Sequence, residues 1–158
     1  MASVEELRLA TGKAITLKSQ HDHIEDSVLV FSCGECSVFL IQDLNSSQPT
    51  FVELKFHKAI CVRSARTDCT PAIGIYPEQA GVSFIVELTD SQWAVEAHKA
   101  YVYATSTLKP RGRHFVVSNH DVFHEILAES FTESLVGPED SHYDLVRGLF
   151  NIQSSDAT

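Results

Sequence analysis

Residues 51–63, FVELKFHKAICVR, constrain the fold more than any other stretch. Val52, Leu54, Phe56, Ile60 and Val62 fall on one side of an extended chain, with Glu53, Lys55, His57 and Arg63 on the other. A strand with one dry and one wet face belongs to an antiparallel sheet, because parallel sheets bury both faces. Neighbouring stretches extend the pattern. Residues 28–33 and 36–42 are β-prone runs separated by Gly34 and Glu35, which predicts a hairpin with a type II′ turn. Residues 13–17 read as extended, and Val82, Phe84, Val86 and Leu88 alternate again. Between them Pro71, Gly74, Pro77 and Gly81 predict a loop. Thr89 followed by Gln92 has capping-box spacing, so a helix is expected through Trp93, Ala97 and Ala100. Residues 101–107 are β-prone, 108–112 form a turn, and 113–117 form a strand.

That strand is expected to feed a helix over 119–135. Ser118 and Asp121 have the spacing of a capping box, and Val122, Phe123, Ile126, Leu127, Phe131 and Leu135 gather into one helical arc. Asp121, Glu125, Glu129 and Glu133 then recur every four residues, with no Lys or Arg among them. Like charges at that spacing cost roughly 0.2–0.5 kcal/mol per pair. The helix dipole compensates Asp121 and Glu125, which leaves Glu129 and Glu133 without a structural reason. A merely solvated acidic face is the bland alternative to a recognition surface. Gly137 and Pro138 end this helix, and a last one runs to about Phe150 with Leu145, Val146, Leu149 and Phe150 on its apolar side. The predicted architecture is therefore a single α+β domain over 1–158, with a frayed tail at 153–158. Its first two thirds form a mostly antiparallel sheet, and its C-terminal helices pack on one face.

Charge narrows the function. The chain of 158 residues carries a formal −9, from 12 basic and 21 acidic residues. From Asn119 onward, eight acids (Asp121, Glu125, Glu129, Glu133, Glu139, Asp140, Asp144, Asp156) face Arg147 alone. Such a field repels nucleic-acid phosphates and favours a basic partner. The N-terminus lacks the basic and apolar regions of a signal peptide, and no apolar run reaches the roughly 18 residues a membrane helix needs. Four cysteines are too few for a disulfide framework, so reduced thiols in the cytoplasm are expected.

Four constellations could carry chemistry. His21, His23, Cys33 and Cys36 put two His and two Cys in one neighbourhood, but the order is unusual for zinc and no second cysteine pair has matching spacing. His120 and His124 stand four apart, as in a zincin helix, yet Asp rather than Glu follows the first, and only His114 offers a third ligand. Cys61 or Cys69 could serve as a nucleophile beside a histidine. Lys109, Arg111 and Arg113 cluster in one turn that could hold a phosphate or the acidic face of a second copy, giving a homodimer. No nucleophile elbow, phosphate loop or dinucleotide fingerprint occurs, and no cofactor is called for. The leading expectation is an acidic cytoplasmic binding or inhibitor protein, with neither nucleic acid nor membrane as partner. It would engage a basic protein through Asp121, Glu125, Glu129 and Glu133, and an immunity protein or nuclease inhibitor is its concrete version. The alternative is a metal-dependent or cysteine-based enzyme with histidines from 21–23 and 114–124.

Overall fold

A computed structural model describes residues 11–21, 26–32, 34–43, 45–66, 83–101, 105–119 and 122–150. In chain order they form β1 (Gly12–Thr16), β2 (Ser27–Ser32), β3 (Glu35–Ile41), β4 (Phe51–His57), β5 (Cys61–Arg66), β6 (Phe84–Leu88), α1 (Trp93–Tyr101), β7 (Arg113–Ser118), β8 (Val122–Ala128), β9 (Ser130–Val136) and α2 (Tyr143–Leu149). Every strand pairing is antiparallel. One sheet has the order β1-β6-β7-β8-β5 and the other β2-β3-β4-β9. Between them lies a core that draws Val38, Leu40, Val52, Leu54 and Phe56 from one sheet and Ile85, Phe115, Val117 and Ile126 from the other. Phe56, Phe115 and Phe131 meet there with ring centroids 5.4–5.7 Å apart.

The run 51–63 is two strands rather than one. Lys58 has φ 53, the left-handed region, and the chain turns there out of β4 and into β5 of the opposite sheet. The same passage is made in reverse at Glu129, between β8 and β9. Because β4 pairs with β9 and β5 pairs with β8, the four strands make one long antiparallel ribbon that bends from one sheet into the other. Lys58, Ala59 and Ile60 stand opposite Ala128 and Glu129 at the bend, so one side carries an extra residue, as bulges at sandwich corners do. Backbone bonds from Glu129 N to His57 O (3.0 Å) and from Ile60 N to Leu127 O (2.8 Å) hold it.

The predicted helix over 119–135 is thus β8 and β9. Spacing by four, which suggested a helical ridge, is also an even number and keeps residues on one face of a strand. β8 is buried on both faces, so it offers no alternation to read, and its paired apolar residues mimic a helical arc. The last third of the chain accordingly supplies three strands to the sheets. Helices also differ from expectation in placement. α1 lies on the outer face of the five-stranded sheet, where the Trp93 ring centroid stands 4.7 Å from that of His114. α2 covers the outer face of the other sheet, packing Tyr143 and Val146 on Phe39, Ile41 and Phe51.

Other expectations hold closely: β1, the β2–β3 hairpin, β6, α1, β7 and α2 appear where the pattern placed them. In the hairpin Ser32 pairs with Glu35, so Gly34 (φ 78) is the second turn residue and not the first that a type II′ turn requires. No strand forms among the described residues of 101–107, where α1 runs on to Tyr101. The segments 67–82 and 151–158, with their predicted loop and tail, lie outside the described residues, as does the opening stretch 1–10.

Candidate functional site

The four acids of the expected recognition row go to different places. Asp121 lies outside the described residues. Glu125, in the middle of β8, is buried and points to the outer face of its sheet, where Arg63 of β5 and His114 of β7 meet it. Glu129 sits at the ribbon bend, with its carboxylate 3.3 Å from Lys58 Nζ. Glu133, on β9, accepts backbone hydrogen bonds from Lys18 N and Ser19 N, both 2.7 Å. The described acids therefore make internal contacts and share no ridge.

Glu125 organises the densest polar cluster of the described residues. Arg63 directs Nε and Nη2 at its two oxygens, the latter at 3.0 Å, and the guanidinium stacks 4.4 Å from the Trp93 ring centroid. His114 Nε2 lies 2.7 Å from Glu125 Oε1, and Ser91 Oγ lies 2.6 Å from His114 Nδ1. Burial pushes the Glu125 carboxyl up, but the bonds from His114 and Arg63 and their charges outweigh it and hold the group at about 2. An ionised carboxylate only accepts, so in the neutral ring Nε2 carries the hydrogen. In that neutral ring Nδ1 is a bare acceptor and the Ser91 hydroxyl donates to it, whereas a protonated ring donates from both nitrogens. Ser91 Oγ also accepts the Trp93 N–H at 3.1 Å, capping α1 in place of the expected Thr89.

Beside this cluster opens a cavity of about 280 Å3, lined in part by Ser91, His114, Ala94, Leu127 and the Glu87–Arg113 pair. Arg113 holds Glu87 with two bonds of 2.6 and 2.8 Å, which takes it out of the expected basic patch. Lys109 and Arg111 line a smaller hollow with Ile60 and Leu108. Gly112 (φ 108) lets this loop lie against the sheet: a Cβ there would come within 2.8 Å of Leu127 Cγ.

Among the described residues the histidines and cysteines form no metal-holding group. His124 faces the interior between the sheets, where Nδ1 meets Ser64 Oγ at 2.6 Å and Nε2 meets Ser27 Oγ at 2.9 Å. His114 faces the opposite side of the same sheet, so the two cannot share an ion. His120, His23, Cys33 and Cys69 lie outside the described residues. Cys36 points into the core, and burial pushes its thiol up to about 12; burial also raises Cys61. Neither is an activated thiolate. Among the described residues no three His, Cys, Asp or Glu side chains are grouped to hold a metal. No helix there is long and apolar enough to cross a membrane.

A second feature lies on the other outer face. Val30, Ser32, Ser37 and Phe39 floor a groove of about 340 Å3, and Leu145, Val146 and Leu149 of α2 wall it. Val30 is 41% exposed and Leu145 71%. Neither the groove nor Ser91, Arg63 and Trp93 were singled out from the sequence. Leu145 and Leu149 did show on the apolar side of the last helix, but α2 buries Val146 of that side and leaves these two exposed. Compared with known proteins, the chain matches no family model, no curated protein and no solved structure.

Proposed function

We propose that this chain is an acidic binding protein that holds a basic, amphipathic segment of a partner protein in the groove between β2, β3 and α2. The observation that carries the reading is the convergence of Val30, Leu145 and Leu149. These are three of the seven large hydrophobic side chains exposed among the described residues, and all line this groove. Apolar side chains kept in water at one place mark a surface that is covered in use. The charge argument survives the loss of the helix, because a molecule at −9 attracts cations whichever element bears the acids. Glu35, exposed and 3.3 Å from Lys55 Nζ, lines the groove, and Asp144 is exposed on α2. An immunity protein or nuclease inhibitor remains the concrete version, by analogy of charge alone.

The test begins with a partner captured at low salt from the source cells and then purified. Its affinity is measured for the wild-type chain and for Leu145→Asp, which changes an exposed side chain and spares the fold. Binding at least tenfold weaker in the variant, and weakening as salt rises, is the expected result. Equal affinity for both chains, or indifference to salt, overturns the reading.

A further inference from the structure

We infer that Ser91, His114 and Glu125 form a nucleophilic triad able to hydrolyse small neutral esters in the cavity beside α1. This site stands on the face opposite the groove and is independent of it. Nucleophilic catalysis by a serine needs three things in sequence: a hydroxyl that donates to a base, a base whose other nitrogen is held, and an ionised group that holds it. The hydrogen bonds at 2.6 Å and 2.7 Å supply that order, and in the neutral ring the carboxylate selects the tautomer that turns a lone pair toward the Ser91 hydroxyl. Arg63 keeps Glu125 ionised and fixed, and the Trp93 ring beside the imidazole restricts its rotation.

The surroundings set the substrate class. Ser91 and His114 both line the cavity. Ala94 lines it too, and its N–H, in the first turn of α1, has no acceptor within the helix and can meet a developing oxyanion. Leu88, Ala94 and Leu127 make one wall apolar, and the only full charges lining the cavity, Glu87 and Arg113, neutralise each other. A volume of about 280 Å3 admits a short acyl chain. In the reaction Ser91 Oγ bonds to the carbonyl carbon while its proton passes to His114 Nδ1. The C–O bond to the alcohol then breaks, and the departing alkoxide takes that proton. Water repeats the steps on the acyl-serine: its oxygen bonds to the carbon, its proton passes through His114 back to Ser91 Oγ, and acid and alcohol are the only products.

The wild-type chain is treated with an alkyl fluorophosphonate and its mass measured intact, with peptide mapping. One adduct per chain on Ser91, lost in His114→Gln, is expected. Turnover of p-nitrophenyl acetate is followed in parallel, with an expected fall of at least a hundredfold in Ser91→Ala. Circular dichroism and the melting temperature of both variants establish that they fold. If they do not, the wild-type adduct alone decides. No adduct, an adduct elsewhere, or equal turnover by a folded Ser91→Ala overturns the inference and leaves Ser91 as a helix cap only.

Discussion

At the scale of single residues, two buried groups set how the protein responds to acid, and their windows are separate. Burial holds His124 below its ordinary 6.5, and a hydrogen bond to the Ser27 backbone and the charge of Asp26 oppose this only in part. The unfolded chain therefore binds a proton that the folded one does not. Stability is full above about pH 6.5 and falls by up to about 1.4 kcal/mol per unit as pH drops through that value. Glu125 works in the same direction at lower pH. Its folded value of about 2 lies below the ordinary 4.5, so its contribution is present above pH 4.5 and is lost as pH falls toward 2. Urea unfolding of wild type and His124→Gln between pH 7.5 and 5 separates the two groups. The variant is expected to show the shallower slope in that range; parallel slopes would mean that His124 takes up its proton equally in the folded and unfolded states.

At the scale of elements, the ribbon β4–β5/β8–β9 carries the fold, and Glu133 ties the loop after β1 to it. Its two bonds to Lys18 N and Ser19 N join segments 115 and 114 positions apart. Glu133→Ala is expected to cost roughly 1–3 kcal/mol, as charge-assisted bonds do. It should also speed hydrogen exchange at the Lys18 and Ser19 amides; unchanged exchange at both amides would show that other contacts hold the loop. The residue thought to face a partner is thus partly structural, and the reason it misled is specific. Strands with one wet face, such as β4, announced themselves through Val52, Leu54 and Phe56. β8, dry on both sides, did not, and its acid spacing fits helix and strand equally. Two of the three residues of the proposed triad, Glu125 and His114, were visible. Their meeting was not, because register between β7 and β8 decides it and a single sequence carries no direct record of register. Ser91 was hidden inside a capping pattern assigned to Thr89.

For the whole molecule, two antiparallel sheets share one interior while a helix covers part of each outer face, which leaves the two candidate sites on opposite sides. Phe56 stands where the sheets are joined, fully buried against Phe115 and Phe131. Phe56→Ala is expected to destabilise the protein by about 3–5 kcal/mol, read as a lower denaturant midpoint with cooperativity retained. A loss under about 1 kcal/mol would show that this aromatic trio does not join the sheets. The bent ribbon has a further consequence, in time rather than in energy. Its arms come from distant parts of the chain, as with His57 and Thr132, which bond at 2.9 Å across 75 positions. Pairings of such range close late, so folding belongs to the millisecond-to-second regime of all-β topologies and not to the microseconds of helical bundles. While the protein is being synthesised, β4 and β5 emerge well before β9 and β8. Until those arrive, each keeps an open edge, with the apolar side chains of β4 uncovered, which exposes the nascent chain to aggregation.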